Sequence, residues 1–63
     1  MLIVAANVRA DPVFLYVNPH NHQIAFTKDR ADATKFEDDT QAAIACAVFS
    51  LKFNVANPRV EAA

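Results

Sequence analysis

The 63-residue chain contains no glycine. Glycine is the residue that supplies a positive φ at tight turns and helix ends without steric cost, so every reversal of this chain must be made by other means. The stretch Asn18-Pro19-His20-Asn21-His22 poses the problem most sharply. Two-residue hairpins favour primed turns, which need a positive φ at the first central residue, and the proline ring holds φ near about −65°. The expected solution is a type I turn that starts at Asn18, carries Pro19 and His20 in its centre, and places Asn21 in the left-handed bulge position. That three-residue loop pairs Asn18 with His22, Tyr16 with Ile24 and Phe14 with Phe26. One face then carries Phe14, Tyr16, Ile24 and Phe26, the other Val13, Leu15, Val17, Gln23, Ala25 and Thr27. A four-residue loop would shift the pairing by one and move Ile24 and Phe26 to the aliphatic face; the three-residue loop is the one expected.

Around this turn the pattern predicts an α+β domain spanning residues 1–63. Its core is a three-stranded antiparallel meander with strands at about 2–8, 13–17 and 22–28. Residues 9–12 connect the first two, and the polar run 29–39 holds a short turn or a single helical turn. A helix at about 39–53 packs across one sheet face, and residues 58–62 form a tail or a short fourth edge strand. Asp38 is the expected N-cap, with Gln41 three residues on as in a capping box and Asp39 at the positive end of the helix dipole. Asn54 is expected to end the helix in the left-handed conformation, with Lys52 in the last turn.

A single chain of this length buries only about 60% of its unfolded surface, and small domains usually add disulfides, a metal or a partner. Cys46, the only cysteine, excludes an internal disulfide. Apolar residues make up 54% of the chain, and Lys plus Arg number 6 against 7 Asp plus Glu. Without a basic stripe, phosphate-driven nucleic-acid binding lacks its driving force. The apolar runs are far short of the ~20 residues of a membrane span. No basic n-region opens the chain, which argues against a signal peptide and, with the lone cysteine, for a cytoplasmic setting.

The apolar pattern exceeds what one helix on one sheet needs. At helical spacing, Ile44, Ala47, Val48 and Leu51 form one stripe, expected to be the core face. Ala42, Cys46, Phe49 and Phe53 form a second, nearly opposite. Phe49 and Phe53 either pack inward, with Val55 folding back past the helix end, or stand free. If the aromatic sheet face takes the helix, Val13, Leu15 and Val17 stay open, together with residues of the first strand. A large exposed apolar patch marks a binding surface. The expected binding residues are therefore Phe49 and Phe53, or Val13, Leu15 and Val17, with Glu37, Asp38 and Asp39 steering a basic partner. A homodimer is the other use of the same surface.

Catalytic chemistry finds little support. His20 and His22 could share a zinc ion with Asp29 or Asp32, but closed sites usually take four ligands, and exposed turn residues explain them more cheaply. Cys46 lies mid-helix among alanines with no base or cation near in sequence, so it is expected to be a packed thiol. No constellation of an enzyme is present, and no cofactor, metal or catalytic residue is expected.

The stretch Phe26–Ala45 resembles a pattern found in many small, mostly uncharacterised phage and prophage proteins. In it a strand ends in Phe-Thr, here Phe26 and Thr27. A polar turn leads to an Ala-x-x-Phe element, here Ala33 and Phe36. A capping residue follows two positions on, here Asp38, and an alanine, here Ala42, opens an amphipathic helix. Those proteins usually have glycine in the hairpin, where this chain has Asn-Pro-His-Asn. The resemblance implies a β-hairpin crossed by a helix and a mobile-element origin. It further implies a protein that acts in the host bacterium's cytoplasm on host machinery or a defence system by steric blocking. A self-associating accessory protein is the alternative.

Overall fold

The computed structural model describes the whole chain, residues 1–63. Strands β1 (Leu2–Val8), β2 (Asp11–Val17), β3 (Ile24–Thr27) and β4 (Ala56–Ala62) form one antiparallel sheet in the spatial order β3-β2-β1-β4. A single 3-10 turn (Arg30–Asp32) and helix α1 (Asp39–Lys52) lie between β3 and β4 in the chain. The α+β architecture is the expected one, and the C-terminal segment is a full edge strand beside β1.

The reversals show how a chain without glycine manages. Val8 pairs with Asp11, so Arg9 and Ala10 form a two-residue turn with φ of 52° and 73°. This is the primed hairpin geometry, made by two residues for which the left-handed region costs roughly 1–2 kcal/mol each. It lets β2 begin at Asp11, ahead of Pro12. The proline is tolerated because β3 pairs with β2 only from Phe14 to Val17, which leaves Pro12 a neighbour on one side only.

At the second reversal the expected register is corrected. Asn18 N–H donates to Gln23 O at 2.9 Å and His22 N–H donates to Asn18 O at 2.8 Å, which encloses a four-residue loop, Pro19 to His22. The left-handed residue is His22 (φ 59°), not Asn21. Both asparagines act through their side chains instead: Asn18 Oδ1 accepts from His20 N–H at 2.9 Å, and Asn21 Oδ1 from Gln23 N–H at 3.0 Å. Val17 therefore faces Ile24, and Leu15 faces Phe26. The gain is burial. Ile24 packs at the border of the main core, and the Phe26 ring meets Phe53 edge-on with centroids 5.5 Å apart.

That register gathers the aliphatic residues on one side, and the helix packs there. Val4, Ala6, Val13, Leu15 and Phe49 form the main core, bordered by Val8, Val17, Ile24, Phe36, Ala45, Cys46, Phe53 and Val55. The expectation of an open aliphatic face is thus overturned, as is the choice of Ile44, Ala47, Val48 and Leu51 for the core stripe. The inward stripe is Ala42, Cys46, Phe49 and Phe53. Alanine at position 42, fully buried, lets the helix approach the sheet closely, while Phe49 reaches into it. Asp38 caps the helix as expected, its Oδ1 accepting from Thr40 N–H at 2.8 Å. Asn54 does not turn left-handed. The helix ends in extended backbone at Phe53, and Val55 N–H closes a three-residue turn onto Phe53 O at 2.7 Å. The left-handed residue in this region is Asn57 (φ 51°), where the β1–β4 register shifts.

The opposite sheet side holds a smaller core of Ile3, Ala5, Phe14 and Ala33. It is covered by the segment after β3, whose Arg30 guanidinium lies 5.7 Å from the Phe14 ring centre. Ala33 thus belongs to one side of the sheet and Phe36 to the other. The chain crosses between them through the gap where β1 and β2 part. Direct pairing of these strands ends at Ala5 and Phe14. Beyond it, Thr34 N–H donates to Leu15 O at 3.0 Å, and Val17 N–H donates to Thr34 Oγ1 at 2.7 Å. Leu2 and Phe36 exchange both backbone bonds at 2.7 Å. Residues 34–36 thereby satisfy backbone groups that the splayed strands would leave unpaired.

Two outcomes follow. Replacing Arg9-Ala10 by Asn-Gly should raise stability by about 1 kcal/mol, visible as a melting temperature higher by roughly 4–8 °C; an unchanged melt would show that the turn carries no strain. Phe49→Ala should cost about 3–5 kcal/mol, enough to unfold most of a domain this small, as circular dichroism at 25 °C would show.

Candidate protein-binding surface

The inward packing of Phe49 decides where a binding surface can lie. Phe49 is 0% exposed, and Val13 and Leu15 are buried with it. Val17 and Phe53 are half-buried at the border of the same core. Phe49, Val13 and Leu15 are enclosed in the core and cannot anchor a partner, which corrects these three expected anchors; Val17 and Phe53 keep part of their surface exposed. The reason is the hairpin register, which made the aliphatic side the stronger apolar face. Of the expected binding residues, Glu37, Asp38 and Asp39 are exposed, with Asp38 engaged in its cap.

What stands free instead is the other stripe of α1. Leu51 is 88% exposed, Ile44 60% and Val48 40%, and Ala43 and Ala47 are exposed beside them. Ile44, Ala47, Val48 and Leu51 lie on the side of the helix away from the sheet, with Ala43 on its flank, and no charged residue falls between Asp39 and Lys52. A solvated helix face normally carries charges. This one presents a leucine, an isoleucine and a valine around small alanines. Both stripes were visible in the sequence; what marked the inward one was the pairing of Ala42 and Cys46 with Phe49 and Phe53, small residues at close approach and rings with reach.

The polar side chains assemble elsewhere. On the sheet side away from α1, Arg30 Nη1 donates to Glu61 Oε1 at 2.8 Å, and Arg30 also donates to the Ala62 carbonyl. Arg59 donates to Glu61 Oε2 at 2.7 Å and to Asn7 Oδ1 at 2.8 Å. Sequence reasoning missed this cluster, because Arg30 and Glu61 are brought together only where the segment after β3 runs over the sheet as far as β4. Its geometry is that of a clasp: Arg30 spans from Phe14 on β2 to β4. The acceptors of Glu61 are occupied by the chain's own arginines, which leaves little for a ligand.

His20 and His22 sit exposed at the hairpin tip, and no three His, Cys, Asp or Glu side chains are grouped as metal ligands would be. Burial pushes the Cys46 thiol up from its ordinary pKa, opposite to what an activated nucleophile needs. No helix is long and apolar enough to cross a membrane. The chain matches no protein-family model, no curated protein and no solved structure.

The clasp has a pH consequence. Hydrogen bonds from Arg30 and then Arg59 hold the Glu61 carboxyl below the usual glutamate range. A folded-state pKa below the unfolded one gives stability that is present above the unfolded value, about 4.3. It is lost as pH falls through the folded value. The melting temperature should therefore fall between about pH 5 and pH 3 more steeply in the natural chain than in Glu61→Gln, and by a modest amount, since the pairs are exposed. Equal slopes would remove Glu61 from the acid response.

Proposed function

We propose that the protein is a protein-binding module whose contact surface is the outer face of α1. The observation that carries this is the exposure of Leu51 and Ile44 on a helix whose other apolar stripe already fills the core. Side chains of this kind at the centre of a surface gain free energy by leaving water, about 1.5–3 kcal/mol each on full burial. Ala43 and Ala47 leave room for a partner's side chains between them. The absence of charge along the face lowers the desolvation cost of covering it.

The likeness of residues 26–45 to small phage and prophage proteins supports a setting in which such a module blocks a host protein or defence component sterically. The acidic run at the helix start would favour a basic edge on the partner. A self-associating accessory protein would use the same exposed stripe.

A photocrosslinking side chain placed at Ala47 tests the contact surface, with one at Ala31, on the covered side of the sheet, as control. Adducts should form at position 47, and adding Leu51→Glu should remove them while the melting curve moves by no more than about 0.5 kcal/mol. Equal adducts at both positions, or none at 47, would remove the outer helix face from the function.

A further inference from the structure

We propose that the free edge of β3 takes up the extended C-terminus of another protein, whose last side chain and carboxylate fall in the cavity beside Phe26. This site is separate from the outer face of α1 and does not depend on it. The two edges of the sheet differ. Hydrogen bonds alternate along an antiparallel pair, so every second residue of an edge strand turns its backbone outward. On β4, Ala63 N–H donates to Met1 O at 3.0 Å. This continues the register of Leu2 with Ala62 and Val4 with Val60, and leaves Pro58, Val60 and Ala62 facing out. Pro58 has no N–H to offer, Arg30 occupies the Ala62 carbonyl, and the strand is bulged near Asn57. Such devices close an edge to other strands.

The edge of β3 has none of these devices and is protected only by its length of four residues. Asn18 N–H donates to Gln23 O at 2.9 Å. In that phase Ala25 and Thr27 turn their backbone towards β2, while Ile24 and Phe26 point N–H and C=O outward. These four groups have no hydrogen-bond partner within the chain. No proline and no charged residue lies between His22 and Lys28. A row of unpaired backbone groups is complemented by another strand, which makes its occupant an extended peptide.

The chemistry at the end of the edge says which peptide. Where β3 ends, Phe26 and Lys28 line a cavity of about 380 Å³ together with Val8, Arg9, Asp11 and Val13. Its floor is apolar, and Phe26 is 44% exposed there. Arg9 and Lys28 form no ion pair within the chain, and Asp11 is the one acid beside them. A strand that runs parallel to β3 ends at this cavity. Its terminal carboxylate then meets two cations, and an apolar last side chain covers Phe26. A second copy of this chain fits less well. Its β3, laid antiparallel about Ala25, would set His22 against Lys28 and bring a loop with two histidines and no carboxylate.

Titration of the isotope-labelled full chain, followed through its amide NMR signals, tests this. The probe is a hexapeptide alternating threonine and valine, with valine last and a free carboxylate, carried to about 1 mM, the weak end of binding. The amides of Arg9, Ile24, Phe26 and Lys28 should shift, and those of Val60 and Ala62 should not. Amidating the peptide's C-terminus should weaken binding about tenfold, and Lys28→Glu should do the same. Asp11→Asn should tighten it about twofold by removing the one acid from the cavity, a gain that no folding defect imitates. N-methylation of one alternate set of peptide residues should abolish binding and of the other set should spare it, since only every second N–H faces β3. Melting curves show that each variant is folded. Absence of shifts at the highest concentration overturns the inference, as does equal binding of the amidated peptide. Equal tolerance of both methylated sets overturns strand addition. Shifts of the β3 amides that grow with the concentration of the chain alone assign the edge to a second copy and overturn the peptide.

Discussion

The hydrogen bonds that tie residues 34–36 to Leu2, Leu15 and Val17 hold the two sides of this molecule together. A four-stranded sheet has two faces to cover, and 63 residues supply one helix. The chain covers the second face with the segment after β3 and then crosses the sheet to place α1 on the first. That crossing is possible only because β1 and β2 part beyond Ala5 and Phe14, and it is stable only because the segment replaces the bonds the strands give up. The Arg30 clasp secures the same segment from the other end by joining it to β4. Each side of the sheet thus gains a small core of its own.

Glycine's absence shapes the turns without preventing them. Arg9, Ala10, His22 and Asn57 all take positive φ, and each sits where a strand must turn or bulge. The left-handed conformations cost energy that the register then recovers by burial. At Arg9-Ala10 the gain is a β1–β2 ladder that aligns Val4 and Ala6 with Val13 and Leu15 in one core. At His22 it is the transfer of Ile24 and Phe26 to the helix side.

The strands, the helix, its cap at Asp38 and the fourth strand were legible in the sequence, because they rest on local periodicity and capping chemistry. What the sequence did not disclose follows from one residue of register. The rule that excluded a two-residue loop at Pro19 was sound, but it could not choose between three residues and four. The side-chain bonds of Asn18 and Asn21 fit either length locally. Burial of Ile24 decided between them, and burial is a property of the whole sheet. The helix stripe followed the same choice. Once the aliphatic side had gained Ile24 and Phe26, the rings of Phe49 and Phe53 had a surface to fill, and Ile44 and Leu51 were turned to solvent. The clasp was out of reach for a different reason, since Arg30 and Glu61 are 31 residues apart and meet only because β4 lies at the sheet edge that the segment after β3 reaches.

The strap at 34–36 leads within two residues to the cap that begins α1. A fluctuation that withdraws it from the gap frees backbone groups on β1 and β2 and slackens the helix anchor in the same event. Little of the molecule can then open on its own. Amide protection at Leu2, Val17, Thr34 and the core turns of α1 should share one opening free energy, close to that of global unfolding. The protein is in that sense a single foldon, in which the hairpin tip at His20 and the outer edge of β4 are left to exchange independently.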